Sequence, residues 1–219
     1  MYHHCDLSGE VLTLPVGKVV CVGSNYQRHI QEMGSATPVE PVLFIKPSTA
    51  LCALSSPLTL PTQFGVVHHE VELAILIASP LTDASEAEVS QAIAGYAVAL
   101  DLTLRDLQAA CKKSGQPWDK AKGFDNACPI SGFIAADKIA FDPQAVDLQL
   151  VVNGIVRQQG NTRDMIHRII PLISYMSRFF TLQPGDIVLT GTPEGVGPLL
   201  AGDQLAVTFA DHIFSTRVN

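Results

Sequence analysis

Nothing in this sequence builds a basic surface. Charged residues make up 16% of the 219, Asp and Glu outnumber Lys and Arg by 21 to 14, and the formal charge is -7. No Lys or Arg cluster forms a stripe. Phosphate backbones are bound by concentrated positive charge, so nucleic acid is not an expected partner. The five cysteines (Cys5, Cys21, Cys52, Cys111, Cys128) are scattered and form no C-x-x-C pair. That argues against a disulfide framework or a zinc site and fits a reducing compartment. The opening MYHHCDLSGE lacks the basic and apolar regions of a signal peptide. Apolar runs such as Leu73 to Ala78 are far too short to cross a bilayer. The expectation is a cytoplasmic chain with no membrane partner.

What is present favours strands. Hydrophobic residues reach 47%, enough for a sizeable core, and 16 Gly with 14 Pro suit a loop-rich, β-dominated architecture. Val19–Val22 and Pro41–Lys46 read as strands flanking a short helix at Tyr26–Met33. One long strand is predicted over Val66–Ala78, then a helix capped by Thr82 or Ser85 with Glu86 and Glu88 in its first turn. Tyr96–Asp101 reads as a strand and Leu104–Lys113 as a helix. Asn153-Gly154 marks a hairpin between Asp147–Val152 and Ile155–Gln158. Asp164–Phe179 has helical periodicity. Asp186–Thr190, Gln204–Phe209 and Ile213–Val218 close the chain as strands. The sum is a β-rich α+β fold, read as one catalytic domain over residues 1–219.

The run His68-His69-Glu70-Val71-Glu72-Leu73 carries the main chemical signal. Side chains alternate faces along a strand, so Glu70 and Glu72 point the same way. Two unpaired carboxylates buried together would cost several kcal/mol, so something positive belongs between them. Oxygen-only ligands favour Mg²⁺, Mn²⁺ or Ca²⁺ over zinc. Asp101, ending an apolar strand, is the natural third ligand. The spacing alone leaves a solvated edge-strand face equally open. His68 shares the Glu70 face and reads as a neighbour of the site; period two argues against His69.

HHEVELA, GYAVALDLTLRDLQ, W-x-x-x-K-x-F-D and VLTGTPEGVGPL, in that order, resemble the fumarylacetoacetate hydrolase family. The likeness runs from about Lys18 to Phe209 and is nearest to the short acylpyruvate hydrolase and oxaloacetate decarboxylase branch. It implies a mixed β-sandwich roll (a pseudo-barrel of sheets), a homodimer, and Mg²⁺ or Mn²⁺ held by Glu70, Glu72 and Asp101, with Ca²⁺ as a substitute. It also implies that residues 1–60 supply N-terminal strands and a lid helix packed on the core.

Gly23 to Gly34 matches that lid. His29 and Glu32 lie three residues apart, neighbours on one helix face; spacing alone favours a surface pair, and the resemblance makes them a catalytic dyad in which the carboxylate orients the imidazole to accept a proton. Arg105 and Gln108 repeat the spacing just after Asp101, where an Arg fork suits a substrate carboxylate and an amide suits a carbonyl or water. By resemblance Lys122 is the active-site lysine, and Thr192 contacts the substrate carboxylate. Lys46 is expected to pair structurally with a carboxylate, and Lys120 to be solvated. The glycine-rich Thr190–Gly197 is no phosphate loop, since no Gly-Lys-Ser/Thr follows. The resemblance implies a small-molecule 2-oxo acid substrate. Cleavage of a carbon–carbon bond in a 2,4-dioxo acid such as fumarylpyruvate is the expected reaction. Decarboxylation or keto–enol tautomerisation of oxaloacetate at the same site is the alternative.

Overall fold

Val71 to Ile77 is buried along its whole length, and the fold wraps around it. In the computed structural model, which describes residues 2–219, the first half runs β1 (Val19–Gly23), α1 (Gln27–Glu32), β2 (Val42–Lys46), β3 (Leu51–Ala53), β4 (Val67–His69), β5 (Val71–Ile77), α2 (Glu86–Gln91), β6 (Ile93–Leu100), β7 (Thr103–Leu104), α3 (Arg105–Ser114) and α4 (Asp119–Lys122). The second half adds β8 (Cys128–Ile130), β9 (Ile134–Ala135), β10 (Asp147–Val152), β11 (Ile155–Asn161), α5 (Ile169–Ser177), β12 (Ile187–Leu189), β13 (Gly197–Pro198), β14 (Gln204–Phe209) and β15 (His212–Arg217).

Eight strands make one curled sheet, ordered β2-β1-β12-β5-β6-β8-β3 with β9 also on β6. Every residue of β5 is buried, as befits a central strand covered on both faces. A second sheet, β11-β10-β14-β15, packs β10 and β14 against β5 and β6. Its Leu148, Leu150, Val207 and Phe209 join the core by strict alternation. A small third sheet, β13-β4-β7, closes one end. This is the expected β-rich α+β roll. Among the described residues no helix is long and apolar enough to cross a membrane.

Local signals explain most boundaries. Ser85, not Thr82, caps α2: its hydroxyl accepts from Glu88 N–H while the Glu88 carboxylate accepts from Ser85 N–H. Asn153 and Gly154 both have positive φ (52° and 77°), as a type I′ hairpin turn requires.

Two expectations need correction. The strand predicted over Val66–Ala78 is broken at Glu70. Its first part pairs with β13 and β7, its second with β12 and β6, so the two halves belong to different sheets. The helix predicted over Asp164–Phe179 spans only Ile169–Ser177. The preceding backbone is claimed instead by Asn25, whose carbonyl accepts from Ile166 N–H and whose side chain accepts from His167 N–H.

Candidate active site

The β5–β6 register assembles the acids. Val71 lies opposite Leu100 and Glu72 opposite Ala99. One step beyond, Asp101 N–H donates to the Glu70 carbonyl at 2.8 Å, placing those two residues across from each other. Glu70, Glu72 and Asp101 therefore share one face, and the methyl of Ala99 leaves room beneath them. Ligand oxygens from all three lie within 4.8 Å of one another, and all three residues are buried.

Cations surround this cluster unevenly. Lys122, at the end of α4, donates to Glu70 Oε2 at 2.8 Å and to Asp101 Oδ2 at 2.6 Å. Arg105 donates to Glu70 Oε1 and, at 2.8 Å, to Gln108. Burial alone would push the Glu70 carboxyl up. Lys122, Arg105 and His29 outweigh it and hold Glu70 well below the usual carboxylate range. Burial likewise pulls the Lys122 ammonium down, and Asp101 and Glu70 more than reverse it. Fully buried Lys46 lies 2.7 Å from Asp101 Oδ1 and donates to the carbonyls of Leu102, Lys122 and Ala127. This is the carboxylate partnership expected of Lys46.

Glu72 stands apart. Among the described residues no side-chain cation pairs with it; Gly191 N–H donates to its Oε2 at 2.6 Å. Burial first, then the negative charges of Asp101 and Glu70, push its pKa well above the ordinary value. Asp101 Oδ1 also lacks an aligned hydrogen bond despite its contact with Lys46. An all-oxygen set with an unneutralised acid and an orphaned lone pair fits a hard divalent cation.

Helix α1, the segment expected as a lid, lines the same cavity as this floor. His29 is buried, and its Nδ1 lies 3.2 Å from Glu32 Oε2. The other Glu32 oxygen accepts from Gly195 N–H at 3.0 Å, tying the lid to the glycine-rich loop. Two positions in that loop must be glycine. Gly191 (φ +94°) passes so close to Asn25 that an added Cβ would meet that side chain at 2.7 Å. At Gly195 (φ +93°) a Cβ would fall 1.9 Å from the Arg157 carbonyl.

His29, Glu70, Glu72, Asp101, Arg105, Gln108, Lys122 and Thr192 line one cavity of about 30 Å³, room for a water or two. Glu32 acts on it through His29. The Thr192 hydroxyl is already engaged, donating to the Val71 carbonyl at 2.9 Å and accepting from Gln158 at 2.8 Å. Arg105 is likewise committed to Glu70 and Gln108. His69 is buried against Gln158, whose Oε1 lies 2.9 Å from His69 Nδ1 and accepts from Val71 N–H at 3.0 Å. Lys120 is exposed, as expected. Sequence reasoning missed Gln158. This buried amide holds the backbone just past the Glu70 break and the Pro193 carbonyl. Its neighbours in sequence gave no signal, because its partners lie 34 or more residues away.

The family profile described as "Fumarylacetoacetate (FAA) hydrolase C-terminal" matches residues 18–217. Over 218 residues, covering all of both chains, the sequence is 65% identical to oxaloacetate tautomerase YcgM of Escherichia coli (strain K12). It is 49% identical over 187 residues to the mitochondrial oxaloacetate tautomerase FAHD1 of Bos taurus, covering 85% of this chain and 84% of that one. The crystal structure of fumarylpyruvate hydrolase from Pseudomonas aeruginosa, in complex with Mn²⁺ and pyruvate, superposes with a TM-score of 0.90 at 36% identity, covering 98% and 94% of the two chains.

Proposed function

The chain belongs to the fumarylacetoacetate hydrolase family, and from that premise we propose that it interconverts the keto and enol forms of oxaloacetate. One observation carries the reading: an oriented imidazole, a buried ammonium and three converging carboxylates line a single small cavity. Tautomerisation needs one group to move a proton at C3 and one cation beside the 2-oxygen. Hydrolysis also needs a placed water and room for a departing acyl group. The likeness to oxaloacetate tautomerases at 65% and 49% identity, against 36% for the fumarylpyruvate hydrolase, supports the same order. The expectation that put acylpyruvate cleavage first is thereby reversed.

Glu70, Glu72 and Asp101 would hold Mg²⁺ or Mn²⁺. When bound, the ion would supply Lewis-acid polarisation of the 2-oxo group and neutralise the adjacent carboxylate. With Nδ1–H donated to Glu32, His29 presents Nε2 as the acceptor that takes the C3 proton and, as imidazolium, delivers it to the 2-oxygen to give the enol; the reverse transfer restores the keto form. Negative charge developing on the 2-oxygen meets the fixed ammonium of Lys122, preorganised by Glu70 and Asp101. Gln108, held by Arg105, offers its amide N–H to a substrate oxygen, and Thr192 shapes the opposite wall. A homodimer is part of the proposal, with light scattering as its check.

The test follows ultraviolet decay of enol-oxaloacetate beside pyruvate release from fumarylpyruvate and acetylpyruvate, with Mg²⁺ or Mn²⁺ supplied. Accelerated decay with little acylpyruvate cleavage is expected. Efficient cleavage without accelerated decay would return the reading to a hydrolase.

A further inference from the structure

One cation in the cavity has no role in the chemistry above. Lys112 lines it from α3, seven residues beyond Arg105 and four beyond Gln108, which puts all three on one helix face. Arg105 is committed to Glu70, and Lys122 to Glu70 and Asp101. Lys112 makes no ion pair among the described residues.

Its position is defined by an aromatic wall. Lys122 Nζ lies 5.0 Å from the centre of the Phe44 ring, Phe44 stacks obliquely on Trp118 at 5.7 Å, and Lys112 Nζ lies 5.0 Å from Trp118. The wall therefore carries an inner ammonium at the carboxylate floor and an outer one toward solvent. Lys112 is exposed at this rim; partial desolvation of its ammonium, then the positive Arg105 nearby, holds its pKa below the ordinary lysine value. An anion at the rim would offset both.

We propose that Lys112 selects a dicarboxylic 2-oxo acid by holding the carboxylate farthest from the 2-oxo group. A four-carbon diacid anchored by its 2-oxo end at the floor can lay its other carboxylate outward along the Phe44–Trp118 wall. Lys112 is the unpaired cation on that course. The Trp118 face fixes the ammonium laterally, which makes it a directed partner rather than a freely solvated tip. The identity of the substrate rests on the tautomerase reading; the preference for a second carboxylate does not.

The test is calorimetry on Mg²⁺-loaded protein with malate and 2-hydroxybutanoate, stable acids that differ in having a carboxylate or a methyl at the far end. Wild type is expected to bind malate about tenfold more tightly, the scale of one charge-assisted hydrogen bond. Lys112→Met, which keeps the stem on Trp118, should abolish the preference and leave 2-hydroxybutanoate affinity unchanged. Lys112→Arg should retain most of it. Lys113→Met, on the neighbouring face, should retain it all. In turnover, Lys112→Met should raise KM for oxaloacetate by the same factor with kcat held within about twofold. A preference that survives without any tautomerase activity would sink the function and keep the selectivity. Wild type binding both acids alike or neither, equal losses for both acids in Lys112→Met, or the same loss in Lys113→Met would overturn the role of Lys112.

Discussion

The floor and the lid of the cavity are built on opposite principles. The floor stands on the central strands β5 and β6, and Glu70, Asp101, Lys122 and Lys46 hold one another in a buried network. The lid is a six-residue helix with no side-chain cap, fixed from outside by Glu32 on Gly195 and Arg28 on Glu194. Floor residues are locked before any ligand arrives, whereas α1 buries only His29 and Ile30 and is otherwise held by these exposed contacts. The cavity of about 30 Å³ between them opens to solvent at its rim. Floor changes should therefore strike ion binding or folding, and lid changes should strike turnover alone.

The largest effect should come from the floor. Glu72→Gln is expected to remove divalent-ion binding by calorimetry and to reduce enol-oxaloacetate decay to the uncatalysed rate. The lid should behave differently: His29→Ala should lower kcat by about 10²- to 10⁴-fold while ion binding and Tm stay at wild-type values. If His29→Ala lost the ion as well, the division between floor and lid would fail. Lys46→Met strands Asp101 Oδ1 and three carbonyls, and should destabilise the fold by about 3–5 kcal/mol in denaturant unfolding.

Two acids on the floor differ in sign. Glu70, with its folded pKa depressed, contributes stability that is full above the ordinary carboxylate value and fades as pH falls below it. With the folded pKa of Glu72 raised, metal-free stability should decline as pH climbs above the ordinary carboxylate value. Glu72→Gln should remove that decline and raise the metal-free Tm at neutral pH, although it ends function. Far from the cavity, Ser85→Ala deletes the α2 capping box and should cost only about 1 kcal/mol in thermal melts.

Much of this was legible from local pattern. Period two put Glu70 and Glu72 on one face, an acid closing an apolar strand flagged Asp101, and the i,i+3 pair His29 and Glu32 is hydrogen-bonded in the fold. The Asn-Gly turn and the Ser85 cap were readable because their partners are adjacent in sequence. What local pattern missed is long-range. The break at Glu70 arises because β4 and β5 pair with different sheets, which no window of residues reveals. Gln158 and Asn25 act on backbone 87 and 142 residues away. The order of reactions was also hidden, since tautomerase and hydrolase call on the same acids, imidazole and lysine.

The proton at C3 decides that order most directly. In D₂O with Mg²⁺, NMR should show wild-type protein exchanging the C3 protons of oxaloacetate well above the uncatalysed rate. His29→Ala, still binding Mg²⁺, should exchange them about 10²- to 10⁴-fold more slowly than wild type. Wild-type exchange no faster than background, or His29→Ala exchanging as fast as wild type, would contradict a site in which His29 moves the proton above a carboxylate floor.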